Sequence, residues 1–200
     1  MKALPKRLLP LTLFGIAVTS LFFVRPVQGF TITMEQMGSN FVANGSGAFN
    51  LTGLTFSGSA GADSVGINAN LGIVLIGTLT AFLTEDQYGG FTGPTSFGSG
   101  SAQFPDTISG DFVAISGLLS VPQGYVSGSA LSNSMTFNSA TFASLGLTPG
   151  TYVWTWGTGL PNQNFTLVIG GAGVPDGGST VSLLGFGLLG LAALRRKFCY

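Results

Sequence analysis

Histidine is absent from the 200 residues, and the single cysteine, Cys199, is the penultimate one. Without an imidazole there is no Ser-His-Asp or Cys-His arrangement, and the commonest metal ligand is missing. One thiol at the far end gives the interior no disulfide framework. Charge is scarce: seven Lys and Arg stand against seven Asp and Glu. Their placement says more than the balance. Lys2, Lys6, Arg7, Arg25, Arg195, Arg196 and Lys197 all lie near the ends, and no basic residue stands between Phe30 and Leu194. A Ser-Lys pair or a Schiff-base lysine is thereby excluded from the body. The acids left there are Glu35, Asp63, Glu85, Asp86, Asp106 and Asp111. An acidic body with no cations is expected to bind neither nucleic acid nor an anionic membrane surface. A G-x-S-x-G elbow, a P-loop and any repeat of fixed period are also missing.

Paired carboxylates remain. Glu85-Asp86, and Asp106 with Asp111, have the chemistry for glycoside hydrolysis or a calcium site. No D-x-[DN]-x-[DN]-G loop accompanies them. The expected role is therefore solubility and unpaired sheet edges, with no catalytic residue, cofactor or metal.

The N-terminus has Lys2, Lys6 and Arg7, then an apolar run from Leu8 to Val24 broken by Pro10, then Arg25-Pro26 and Val27-Gln28-Gly29. That order predicts a secretory signal peptide over residues 1–29, cut before Phe30. An uncleaved anchor is the alternative, because Arg25 stands close to the cut.

The C-terminus is built in three parts. A short polar turn, Val174-Pro175-Asp176-Gly177-Gly178-Ser179-Thr180, precedes the apolar run Val181 to Leu194 and the cluster Arg195-Arg196-Lys197. At about 1.5 Å per residue the run gives about 21 Å of helix, against about 30 Å of hydrocarbon; adding Gly177 to Thr180 brings it to about 27 Å. Arginine snorkelling and local thinning close the gap, so 181–194 is expected to span, with a cytoplasmic basic tail at 195–200 and an exported body. A buried helix of a soluble domain is the competing reading, but the run shows no polar stripe. Gly185-Phe186-Gly187-Leu188-Leu189-Gly190 matches G-x-G-x-x-G, yet it follows no strand and opens no βαβ unit.

These residues resemble the PEP-CTERM sorting signal, in its V-P-D-x-G-S-T variant. Val174, Pro175, Asp176, Gly178, Ser179 and Thr180 match the motif, with Asp176 for the usual Glu and Gly177 for the second Pro. The resemblance covers residues 174–200. It implies a transient hold in the inner membrane, by Arg195, Arg196 and Lys197, and processing near the motif by an exosortase. The body would then be released to the cell surface or extracellular matrix. Ser144 to Gly159 also resembles a segment that recurs just upstream of such tails.

Between the two ends, residues 30–170 are expected to form one all-β domain, a sandwich or jelly-roll-like fold, with 171–180 as linker and sorting motif. Thr31 to Met34 predicts a first strand, and Phe41 to Phe56 short strands with Asn-Gly and Gly-Ser breaks. Val65 to Thr84 is read as one or two buried strands and Gln87 to Asp106 as a long loop. Asp111 to Val121 and Gly124 to Ala130 are read as further short strands. Phe137 and Phe142 are expected core anchors. Thr148-Pro149-Gly150 is a candidate type II turn leading into a hairpin of Thr151 to Trp156 and Asn164 to Ile169. Alternation puts Tyr152, Trp154 and Trp156 on one face, either packing in the core or stacking on sugar rings. Three readings follow: an exported, non-enzymatic surface or matrix protein; a module binding exopolysaccharide; and a glycan-cleaving enzyme.

Overall fold

The computed structural model describes residues 29–79 and 84–170. The expected signal peptide up to residue 28, the expected sorting motif, the run 181–194 and the basic cluster lie outside the described residues.

Period-2 alternation makes the first strand. In β1 (Phe30–Met37) Phe30, Ile32 and Met34 point inward and are fully buried, while Thr31, Thr33 and Glu35 point out. β2 (Asn40–Gly47) follows antiparallel, then β3 (Thr55–Gly61), β4 (Gly66–Asn68), β5 (Ile73–Ile76), β6 (Thr84–Gly89) and β7 (Ala102–Gln103). β8 (Thr107–Gly110), β9 (Val113–Ile115), β10 (Leu119–Pro122), β11 (Leu131–Phe137), β12 (Gly150–Thr155) and β13 (Asn164–Ile169) are the remaining strands among the described residues. Among the described residues there is no α-helix; one 3-10 turn, Ala69–Leu71, joins β4 to β5.

The strands form two sheets, ordered β12-β13-β1-β2-β11-β8 and β3-β6-β10-β9-β5-β4-β7, an arrangement consistent with a β-sandwich. Among the described residues every pairing between these strands is antiparallel but one. β1 lies parallel to β13, Phe30 opposite Phe165 and Met34 opposite Ile169, so the first and last of the described strands are hydrogen-bonded neighbours. In the larger sheet, Ile67, Val74, Ile115 and Leu119 sit opposite one another across four strands, each at most 3% exposed.

One hydrophobic cluster draws on both sheets. Its aromatic centre is Phe49, which follows β2 and belongs to no strand. Phe49 lies 5.0 Å from Phe30, 6.0 Å from Trp156 and, stacked at 6°, 6.2 Å from Phe165. Phe41 packs against Phe137 and Phe142, at 6.3 and 5.0 Å, as expected of core anchors.

Three sequence expectations are corrected. Residues 87–106 are not a single loop. Gln87 to Gly89 belong to β6, Ala102–Gln103 form β7, and the rest is pinned in place. Thr92 and Thr155 exchange backbone hydrogen bonds of 2.9 and 2.8 Å, covering part of the β12 edge, and Phe97 is 1% exposed. Residues 90–101 between the two strands stay irregular, and the buried Phe97 anchors them to the core. Gly124 to Ala130 makes turns rather than a strand. Its hydrogen bonds run to residues 49–51: Gly128 N donates to Phe49 O (2.8 Å), and Leu51 N donates to Ser127 Oγ (2.9 Å). Gly150 has no positive φ, so the type II turn does not form; it is the first residue of β12. Gly146, at φ +62°, makes the reversal instead. Val65 onward does contain two strands, β4 and β5, and no described helix is long and apolar enough to cross a membrane.

Candidate functional site

The described part of the chain ends just after β13. Ile169 is fully buried, opposite both Met34 and Gly150, and Gly170 N donates to Met34 O at 3.1 Å. Gly170 turns the chain at φ +80°, a conformation favouring glycine. Only Gly171, Ala172 and Gly173 separate it from Val174.

The hairpin before the exit is held by a side chain the sequence did not mark. Gln163 is 4% exposed. Its Oε1 accepts from the amides of Thr158 (3.0 Å) and Leu160 (2.8 Å), and its Nε2 donates to Thr52 O (2.6 Å). Only its place at the end of a Gly- and Asn-containing loop hinted at this.

Tyr152, Trp154 and Trp156 do share one face, and it is the inner one. Trp154 and Trp156 are 3% and 5% exposed. Trp154 meets Phe165 edge-on at 5.4 Å; Trp156 Nε1 donates to Asn50 O at 2.8 Å. Tyr152 is half-buried against Phe97, its hydroxyl donating to Thr148 O at 3.0 Å. Trp154 and Trp156 are closed off while Tyr152 is half-buried, so the three rings do not form one open platform. Alternation shows that they share a face but not which way it points.

The acids separate in the same way. Glu85 and Asp86 are adjacent in β6 and project to opposite sides. Glu85 is 5% exposed, with Oε1 accepting from Ser120 Oγ (3.1 Å) and Gln87 Nε2 (3.0 Å) and Oε2 without a partner. Asp86 accepts from Ser59 Oγ (2.7 Å) and Gly124 N (2.8 Å). Asp106 and Asp111 flank β8, taking the amides of Asn138 (2.7 Å) and Ser132 (2.9 Å) at the two ends of β11. Among the described residues no group of three His, Cys, Asp or Glu is placed to hold a metal ion. The arrangement of these acids clamps strands. Tyr125 acts similarly: its hydroxyl donates to Ser129 O (2.7 Å) and accepts from Phe49 N (2.9 Å). Burial raises its pKa above the usual tyrosine value, with backbone hydrogen bonds opposing.

No curated protein and no solved structure matches the chain. One protein-family model, described as the VPDSG-CTERM motif, matches residues 173–198. This chain reads V-P-D-G-G at Val174 to Gly178, with Gly177 where the motif's name has Ser. The match takes in the polar turn, the apolar run and the basic cluster together. The C-terminal end of this chain is therefore a VPDSG-CTERM motif, a PEP-CTERM-like sorting tail.

Proposed function

We propose that the chain is an exported precursor whose β-rich body is delivered to the cell surface or extracellular matrix by its C-terminal tail. The observation that carries this is the VPDSG-CTERM match over residues 173–198. A signal peptide starts export, the run 181–194 halts in the inner membrane, and Arg195, Arg196 and Lys197 hold it from the cytoplasmic side. An exosortase then reads Val174, Pro175, Asp176, Gly178, Ser179 and Thr180 and cuts nearby. The body performs no catalytic step of its own.

Each basic residue near an anionic leaflet contributes about 1 kcal/mol, so the cluster is worth about 3 kcal/mol of retention. Replacing Arg195, Arg196 and Lys197 together with Ser is expected to shift the precursor out of the membrane fraction or to slow its processing. Mass spectrometry of the mature C-terminus, with and without the exosortase, tests the scheme. A secreted product still carrying Cys199 and Tyr200 would overturn it.

A further inference from the structure

The outward side of the six-stranded sheet is unusual in its chemistry. Register aligns Thr151, Val168, Thr33, Asn44, Ser134 and Ser109 in one row crossing all six strands. The next row holds Val153, Thr166, Thr31, Ser46 and Ser132. A third runs from Glu35 through Val42 and Thr136 to Thr107. All are half-buried or exposed, while in β1, β2, β11 and β13 most of the residues alternating with them are buried. Rows lie about 6.7 Å apart along each strand and neighbours in a row about 4.8 Å apart, so hydroxyl and amide groups form a two-dimensional array. Ser109 and Ser134 already pair through their hydroxyls at 2.9 Å.

Glu35 is the one charge in these rows, whereas charged residues usually make up about 25–35% of a soluble surface. A charged polymer therefore finds almost nothing to pair with. A second copy packing face to face would need interdigitating apolar side chains, and only Val42, Val153 and Val168 offer them. An apolar partner would strip water from many hydroxyls without replacing their hydrogen bonds. A neutral sugar chain matches the face on each count. It brings many donors and acceptors, no charge, and C–H surfaces that suit threonine methyls, with bridging water filling gaps.

We infer that this outer face is a docking surface for an extended, uncharged polysaccharide, engaged through many weak hydrogen bonds rather than aromatic stacking. The inference does not depend on the tail. The test uses the full chain in detergent, with microcrystalline cellulose and soluble β-1,3-glucan as neutral probes and alginate as the anionic one. The variant Thr33→Val/Ser46→Ala/Thr136→Val removes hydroxyls with little change of shape. Ser64→Ala/Ser101→Ala/Ser116→Ala removes as many from exposed positions outside that sheet. Retention on a neutral probe should fall about tenfold or more in the first and hold in the second, with thermal midpoints unchanged. Should the first triple variant unfold, Thr33→Val alone reports in the same direction. The inference is overturned by failure to bind either neutral probe, by equal losses in both variants or by tighter binding to alginate. A concentration-dependent dimer that the first variant dissolves would overturn it too.

Discussion

Phe49 shows how much one residue outside regular structure can carry. Its ring is fully buried between Phe30, Phe165 and Trp156, while its amide donates to the Tyr125 hydroxyl and its carbonyl accepts from Gly128 N. Phe49→Ala is expected to cost about 3–5 kcal/mol, read as a lower midpoint in urea unfolding. Tyr125, its partner, gives the fold a pH dependence. Because burial raises the Tyr125 pKa, the folded state keeps the proton longer than the unfolded chain does. That contribution is complete below about pH 10, the unfolded value, and disappears as pH rises through the higher folded one. Tyr88 is raised too, by burial and then by Asp86. Tyr125→Phe should therefore flatten part of the alkaline fall in stability, measured as thermal midpoint between about pH 9 and 11.

The element most exposed to failure is the β12–β13 hairpin. Its connection contains Asn162 at φ +64°, a left-handed conformation that a residue with a side chain does not readily hold without help. Gln163 supplies that help by holding both loop amides and reaching across to Thr52. Gln163→Leu would leave those groups unpaired and cost about 2–4 kcal/mol. Amide exchange should accelerate at Thr158 and Leu160 well before it does at Leu167. Equal protection at all three sites would remove Gln163 from this role.

For the whole molecule, the parallel pairing of β1 with β13 sets the order of events. β1 is an interior strand, yet one of its two neighbours is the last of the described strands to be made. The smaller sheet stays incomplete until Ile169 is available, a few residues short of the sorting motif. A chain ended after Gly173 is expected to unfold cooperatively near the full-length midpoint. A chain ended after Gln163 removes the partner of both β1 and β12, and should lose the cooperative transition in circular dichroism. A cooperative transition in that shorter chain would show that β13 is dispensable.

The all-β character, most strands and the nature of the tail were legible in the linear order of residues. Alternation in Phe30 to Met34 and Asn164 to Ile169 is local, and a charge cluster after an apolar run needs no fold to be recognised. Which face of Thr151 to Trp156 turned inward was not legible. Neither was the role of Phe97 within a Gly-rich stretch, nor the choice of Gly146 over Gly150 for the reversal. Each of those was decided by partners outside its own segment: Phe165 for Trp154, Leu147 for the segment around Phe97, Ile169 for Gly150. The sequence alone determined where this protein carries its sorting tail, because short-range order and charge suffice for that. Only the tertiary structure decided which residues meet, because burial and pairing across more than a hundred positions are properties of the closed fold.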